Sequence, residues 1–308
     1  MHQKNLIFKQ PENIPQVQPV KTWSTPVEIL ESKVIPCVLC KEKSLKSFMD
    51  CEGFSYARCT ACDLVQMNPQ PIKAEIDRRY RIEHGKDYLA YEIENEAVFL
   101  NLQLLALKDA GFEKREKGAE AAPRFLDIGC ATGALLRVLR ERGWQVTGVE
   151  ISPSAAYARN EHNLDVRDLP LEENHFPDDY FDVVHASHLI EHLNDPRSFL
   201  EEIHRILKPD GHVFITTPNI SGFQARLFKS RWRSAIFDHL YLFSAKTLRA
   251  LLKDCGFVVE EVKTWGGLAA GVSPLWVKKI ADRLAKLFGV GDVMIIRAVE
   301  NNTVDMIR

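Results

Sequence analysis

Phe125-Leu126-Asp127-Ile128-Gly129-Cys130-Ala131-Thr132-Gly133 runs straight into a helical pattern at Ala134–Arg142. It reads as a buried strand that ends in an acid, turns through two glycines and opens a helix. Such a turn lets a ligand approach the backbone, and the helix N-terminus offers it free N–H groups. A dinucleotide would suit that geometry too. The dinucleotide pattern Gly-x-Gly-x-x-Gly is absent, however, because Ala131 stands two places after Gly129.

Outward from this turn the texture repeats. Short apolar runs at Gln145–Val149, Asp182–Ala186 and His212–Thr216 alternate with helical stretches at Ser154–Asn160 and Arg197–Leu207. The alternation predicts an α/β fold with a doubly wound, mostly parallel sheet. Gly143, Gly211 and Gly256 each follow a helix, where a left-handed cap calls for glycine. Glu150 ends the second strand, where an acid can accept both ribose hydroxyls of an adenosine. Asp168 follows the third, placed to accept from an adenine amino group, with Leu169 beside it.

In this combination the segment Asp127–Gly133 resembles the first motif of class I S-adenosylmethionine methyltransferases. Glu150 and Asp168 resemble that family's ribose- and adenine-binding acids. YFDVVHASHLIEHLN (Tyr180–Asn194) and ILKPDGHVFITTPN resemble its fourth-strand segment and the helix–turn–strand of its small-molecule branch. Asp210 replaces a glycine common in that turn, a place where Asp is tolerated. The resemblance covers about Arg124 to Val262 and implies a Rossmann-like methyltransferase. Asp127, Gly129, Cys130, Gly133, Glu150, Ile151, Asp168 and Leu169 would bind S-adenosylmethionine, with S-adenosylhomocysteine as product. Ser187 and His188 would line the methionine end.

Five of the seven cysteines fall between positions 37 and 62. Cys37-Val-Leu-Cys40 and Cys59-Thr-Ala-Cys62 make a pair of CxxC knuckles that can converge on one zinc. Four thiolates leave no open position, so the expected ion is structural; Cys51 is read as a spare. The arrangement resembles the N-terminal module of sugar and natural-product methyltransferases, where it helps build a substrate-side cap. An RNA-reading ribbon is the alternative, weakened by the balance of Lys33, Lys41, Lys43, Lys46 and Arg58 against Glu31, Glu42, Asp50, Glu52 and Asp63. The expected organisation is a polar tail (1–30), the cysteine module (31–72), a helical connector and linker (73–123) and the methyltransferase domain (124–308). In the connector, a helix is expected from about Asp87 to Ala110.

Methyl transfer to oxygen needs a base or a metal-bound hydroxyl. His188, Glu191 and His192, together with His239, are the candidates, with 188 and 192 one helical turn apart. Relatives in this branch often carry Glu-His here and a second histidine before "FS", which makes His192 and His239 the preferred pair. Some methyltransferases of quinone precursors and small-RNA ends carry Glu-x-x-Glu-His here as ligands of a divalent ion. His188 stands at the first Glu, and the four residues could still ligate zinc, manganese or iron. Plain hydrogen-bonding roles remain open.

Phe223, Phe228, Trp232 and Phe237 interleave with Arg226, Lys229, Arg231 and Arg233, which suits a phosphorylated or nucleotide-linked substrate or, equally, packing. An amphipathic helix over about Pro274–Phe288 carries Leu275, Trp276, Ile280, Leu284 and Leu287 with Lys278, Lys279, Arg283 and Lys286. It is expected to dock on the sheet, with membrane-surface contact the lesser reading. Asp292–Val299, with Arg297, closes the sheet.

In 308 residues, 40 Lys and Arg stand against 42 Asp and Glu, a net charge of −2 with no basic excess for a polyanion. A polar N-terminus and the lack of a long apolar run predict a cytoplasmic chain without a membrane span. Small-metabolite methylation is the leading expectation, at a hydroxyl or carbon of a saccharide, nucleotide-linked sugar or other natural product. RNA methylation and a non-catalytic zinc-bearing binding protein are the alternatives. Acceptor atom and oligomeric state stay open.

Overall fold

The N-terminal part of the chain is built of short strands: β1 (Ser32–Lys33), β2 (Leu45–Cys51), β3 (Phe54–Cys59), β4 (Val65–Met67) and β5 (Gln70–Pro71). Helices α1 (Lys73–Arg78) and α2 (Gly85–Asp109) lead into the alternating part. There the order is β6 (Arg124–Ile128), α3 (Ala134–Glu141), β7 (Gln145–Val149), α4 (Ser154–His162), β8 (Val166–Arg167) and β9 (Phe181–Ser187). Next come α5 (Pro196–Ile206), β10 (Leu207–Pro218), α6 (Phe223–Phe228), β11 (Tyr241–Leu242), α7 (Ala245–Asp254) and β12 (Phe257–Trp265). Helix α8 (Leu275–Leu287) and β13 (Val293–Glu300) end it. This computed structural model describes residues 31–51, 53–78, 85–112, 121–267 and 275–301. The expected tail 1–30, most of the linker and Pro274 lie outside them.

Among the described residues, seven strands form one sheet in the order β12-β13-β10-β9-β6-β7-β8. Strands β6 to β10 pair in parallel, and β13 runs antiparallel to both neighbours. The expected Rossmann-like architecture is therefore present, and its order reverses beside β6, the strand that carries Asp127. Ligands of doubly wound sheets bind at that kind of switch point. Local sequence explains the helix starts. Asp195 caps α5 by accepting from the N–H groups of Arg197 (3.2 Å) and Ser198 (3.1 Å), with Pro196 in the first turn. Ser244 and Thr247 form a capping box at α7.

Gly143 and Gly256 adopt the expected left-handed caps, with φ of 86° and 89°. Gly211 does not. It lies inside β10, because α5 passes directly into an extended strand at Leu207. A Cβ there would stand 2.8 Å from the Leu207 side chain and from the Lys208 carbonyl, so glycine supplies space rather than a positive φ.

The cysteine module is fused to the sheet. β2, β3 and β4 form a second sheet completed by β11, which comes from the far end of the chain. One buried cluster runs from Cys37, Tyr56 and Met67 through Ile190 to Tyr241 and Met294. No helix among the described residues is long and apolar enough to cross a membrane.

Helix α8 docks on β12, as expected, but with the opposite face. The Ala285 carbonyl accepts from Thr264 Oγ1 (3.2 Å), and Asp282 Oδ1 accepts from the Gly267 N–H (2.7 Å). Backbone approach at Gly267 needs the small Ala281 side of the helix, so the large apolar residues point outward. Each large side chain left in water forgoes about 1.5–3 kcal/mol.

Candidate functional site

The glycine turn after β6 has the geometry its sequence demands. Gly129 and Gly133 have φ of 74° and 78°. A Cβ on Gly133 would come within 2.4 Å of Leu164 Cδ1. The Glu150 carboxylate ties the turn to β7: Oε2 accepts from the Ala131 N–H (3.0 Å) and Oε1 from the Ser152 N–H (2.8 Å). Cys130 is buried, and its thiol packs toward Gly148, so the backbone is what it can offer a ligand. Burial raises that thiol's pKa well above the ordinary range.

Asp127 is almost wholly buried and holds a 2.7 Å contact with His185 Nδ1 on β9. Its Oδ2 is buried with no hydrogen-bond partner, and a cationic donor would satisfy it. On the far side of Glu150, Ile151, Asp168 and Leu169 line a cleft of about 420 Å³ with Pro153, Ala156 and Arg159. Asp168 is paired with Arg159 Nη2 at 3.0 Å.

Helix α2 clamps this turn. Glu96 accepts from Thr132 Oγ1 (2.8 Å) and from Arg137 Nη2 (2.5 Å). Glu92 is buried, accepts from the Ser154 hydroxyl and lies near Glu150. Burial, then the Glu150 charge, push its carboxyl up to about 8, against the lowering effect of the serine hydrogen bond.

Beyond β9 the chain makes one 3-10 turn, Ile190–His192, rather than the α-helix expected there. Glu191 is completely buried, and its Oε2 accepts from Thr217 Oγ1 (2.9 Å). Burial alone would raise its pKa, but the His188 contact and the charges of His192, His188 and His239 hold it down at about 2. His239 Nδ1 lies 2.8 Å from the Ser234 carbonyl, so Nδ1–H donates and Nε2 keeps a lone pair. Burial first, then His192, lower its pKa to about 4. The His192 and His239 rings meet edge to face at 4.7 Å. Candidate ligand atoms of Glu191, His192 and His239 all lie within 4.8 Å of one another. His188 falls outside this group. Its backbone has a φ of 53°, and its half-exposed ring touches Glu191 Oε1 at 3.3 Å.

Cys37, Cys40, Cys59 and Cys62 converge, their sulfurs within 4.8 Å of one another. The two knuckles share one backbone design. The Lys41 N–H donates to the Cys37 carbonyl (2.9 Å) and the Asp63 N–H to that of Cys59 (3.2 Å), with φ of 62° and 69° at the two donor residues. Tetrahedral zinc with Zn–S of about 2.3 Å puts sulfurs near 3.8 Å apart. The Cys37–Cys62 and Cys40–Cys59 pairs, each 3.4 Å apart, are close to that spacing. Burial drives Cys37 up to about 11 and raises Cys62 as well, so those two need a cation to stand as thiolates, whereas backbone hydrogen bonds lower Cys59 against its burial. Cys51 lies apart, at the end of β2.

The family described as methyltransferase domain matches residues 76–262. The chain belongs to that family. Its sheet order is that of the class I methyltransferase fold. It is 34% identical over 112 residues to the ubiquinone biosynthesis O-methyltransferase of Pseudomonas aeruginosa (strain LESB58), covering 34% of this chain and 48% of that protein. The same-named protein of Acinetobacter baumannii (strain AYE) is 34% identical over 110 residues, 33% of this chain and 46% of that one. The chain spans about half the length of the curated relatives it matches. A chain from the complex between the Haloferax volcanii Trm112 methyltransferase activator and a methyltransferase aligns with a TM-score of 0.54 at 22% identity, over 71% of this chain and 96% of that one. Haemonchus contortus phosphoethanolamine N-methyltransferase 2 in complex with S-adenosyl-L-methionine gives 0.53 at 22% identity, over 77% and 62%. Those two structures share the fold.

The cysteine module reaches the Glu191–His192–His239 trio. Tyr56 Oη on β3 donates to the carbonyls of His239 (2.8 Å) and Ile236 (2.9 Å). The Leu240 N–H donates to the Glu191 carbonyl (2.7 Å). Sequence reading missed Tyr56, Glu92, Glu96 and His185. Three of them left a signal: Glu92 and Glu96 share a helix face, and His185 interrupts an apolar strand. Trp232, read as a possible stacking residue, is buried against Asp292, which also holds Arg233 Nε at 2.5 Å.

Proposed function

We propose that this methyltransferase moves the methyl group of S-adenosylmethionine to a hydroxyl of a small-molecule acceptor, such as a saccharide or nucleotide-linked sugar. The buried trio of Glu191, His192 and His239, next to a complete cofactor turn, supports this reading. The acceptor oxygen forms its bond to the methyl carbon as the carbon–sulfur bond breaks. Its electrons stay on sulfur, giving neutral S-adenosylhomocysteine, and the hydroxyl proton must leave. His239 is neutral at pH 7, its Nδ1–H held by the Ser234 carbonyl so that Nε2 carries the lone pair; His192 at its ring edge is the second acceptor for that proton. Asp127, Gly129, Gly133, Glu150 and Asp168 hold the cofactor in this reading.

The trio also fits a divalent cation. Glu191 Oε1 is buried and meets only the half-exposed His188 ring, at 3.3 Å and without hydrogen-bond geometry, and a carboxylate with two imidazoles suits zinc, manganese or iron. A cation there would polarise the acceptor hydroxyl. The four cysteines are read as a structural zinc centre.

The deciding experiment is methyl transfer from labelled S-adenosylmethionine into a fractionated lysate, with and without chelator, alongside calorimetric cofactor binding. Label in polar small molecules is expected. Label in RNA overturns the acceptor class, and absence of cofactor binding overturns the activity.

A further inference from the structure

Helix α8 turns its apolar stripe to water. Trp276, Ile280, Leu284 and Leu287 recur at helical spacing, with Phe288 just beyond, and Trp276 and Leu287 are 66% and 76% exposed. Such a stripe ordinarily faces a core, but the docked side of α8 is Ala285 and Asp282. Helix α6 adds Phe223, Leu227 and Phe228, all exposed. The two elements adjoin: the Phe223 N–H donates to the Val290 carbonyl (2.9 Å), two residues beyond Phe288.

The charge on these two segments departs from that of the chain. Residues 223–233 carry Arg226, Lys229, Arg231 and Arg233 with no acid, and residues 275–288 carry four cations against Asp282 alone, in a chain whose total is −2. Arg226, Lys229, Arg231 and Arg283 are exposed and make no ion pair among the described residues.

We infer that the α6–α8 face is a docking surface for an anionic lipid bilayer. Its apolar side chains would enter the boundary between headgroups and acyl chains, while the unpaired cations meet lipid phosphates. A second copy of the chain fits the face poorly. A two-fold contact sets a patch against itself, and here that brings like charges together. Exposed apolar area of this kind marks a binding surface rather than ordinary surface composition. This inference is independent of the acceptor.

The test is sedimentation of the full chain with vesicles of phosphatidylcholine alone or mixed with phosphatidylglycerol. Binding should be at least about fivefold stronger to the mixed vesicles and should fall severalfold as salt is raised from roughly 0.05 to 0.5 M. The double variant Leu284→Ser, Leu287→Ser and, separately, Arg283→Glu should each lower the bound fraction at least about fivefold. Calorimetric affinity for S-adenosylmethionine, unchanged in both, shows that they fold. No binding to mixed vesicles, or equal binding by the variants, overturns the inference. A dimer in sedimentation equilibrium that the double serine variant dissociates would assign the face to a second copy and overturn it too.

Discussion

At the scale of single residues, two buried carboxylates with opposite shifts do different work. Glu191 stays ionised because the His188 contact and the His192 charge favour its carboxylate, whereas Glu92 is pushed up to about 8 by burial and by the Glu150 charge. A raised carboxyl binds its proton more tightly in the folded than in the unfolded chain. Its contribution to stability is therefore complete below about 4.5 and is lost as the pH climbs through about 8. Glu92→Gln stays neutral throughout. Thermal melts should show the wild type losing stability between pH 5 and pH 8 relative to this variant, by on the order of 2 kcal/mol or roughly 4–8 °C. Parallel melting curves at the two pH values would remove that role. At the reacting end, Glu191→Gln and His239→Ala should each keep cofactor affinity while turnover falls about 10²–10⁴-fold. Retained turnover in both would take the trio out of the reaction.

At the scale of elements, the CxxC knuckles and the strand–turn–helix of β6 and α3 were legible in the sequence. Both depend on residues a few places apart: two cysteines bracketing a tight turn, or two glycines at positive φ. The expected zinc follows from that local chemistry. One equivalent should be found by elemental analysis of purified protein, and Cys37→Ser with Cys62→Ser should lose it together with much of the thermal stability of the module. Full metal content in that variant would refute the centre. What local spacing could not supply was helix type and facing. The four-residue step from His188 to His192 suits an α-helix, but the chain spends a left-handed residue at His188 and makes a single 3-10 turn. Helix α8 shows the apolar stripe of a core helix, yet β12 receives its small side, because Gly267 lets the backbone approach only there.

At the scale of the whole molecule, the module and the sheet act as one body. β11 completes the module's sheet, and the Tyr56 hydroxyl holds the carbonyl of His239 from a position 183 residues away. Tyr56→Phe should therefore lower turnover about tenfold or more while cofactor affinity, read by calorimetry, stays the same. Equal loss of both would show a folding defect instead, and no loss would uncouple the module from the site. The sequence by itself determined the α/β class, the alternation of strands and helices from β6 onward, the glycine turn at positive φ after β6, and the paired CxxC knuckles, because each is written in neighbours along the chain. Only the tertiary structure decided that, of the four candidates, His188 stands aside from Glu191, His192 and His239. It alone brought His185 to Asp127, set Glu92 and Glu96 over the turn, and turned the apolar face of α8 outward. Those outcomes depend on which surfaces bury one another, and burial is settled between segments far apart in sequence rather than within any one of them.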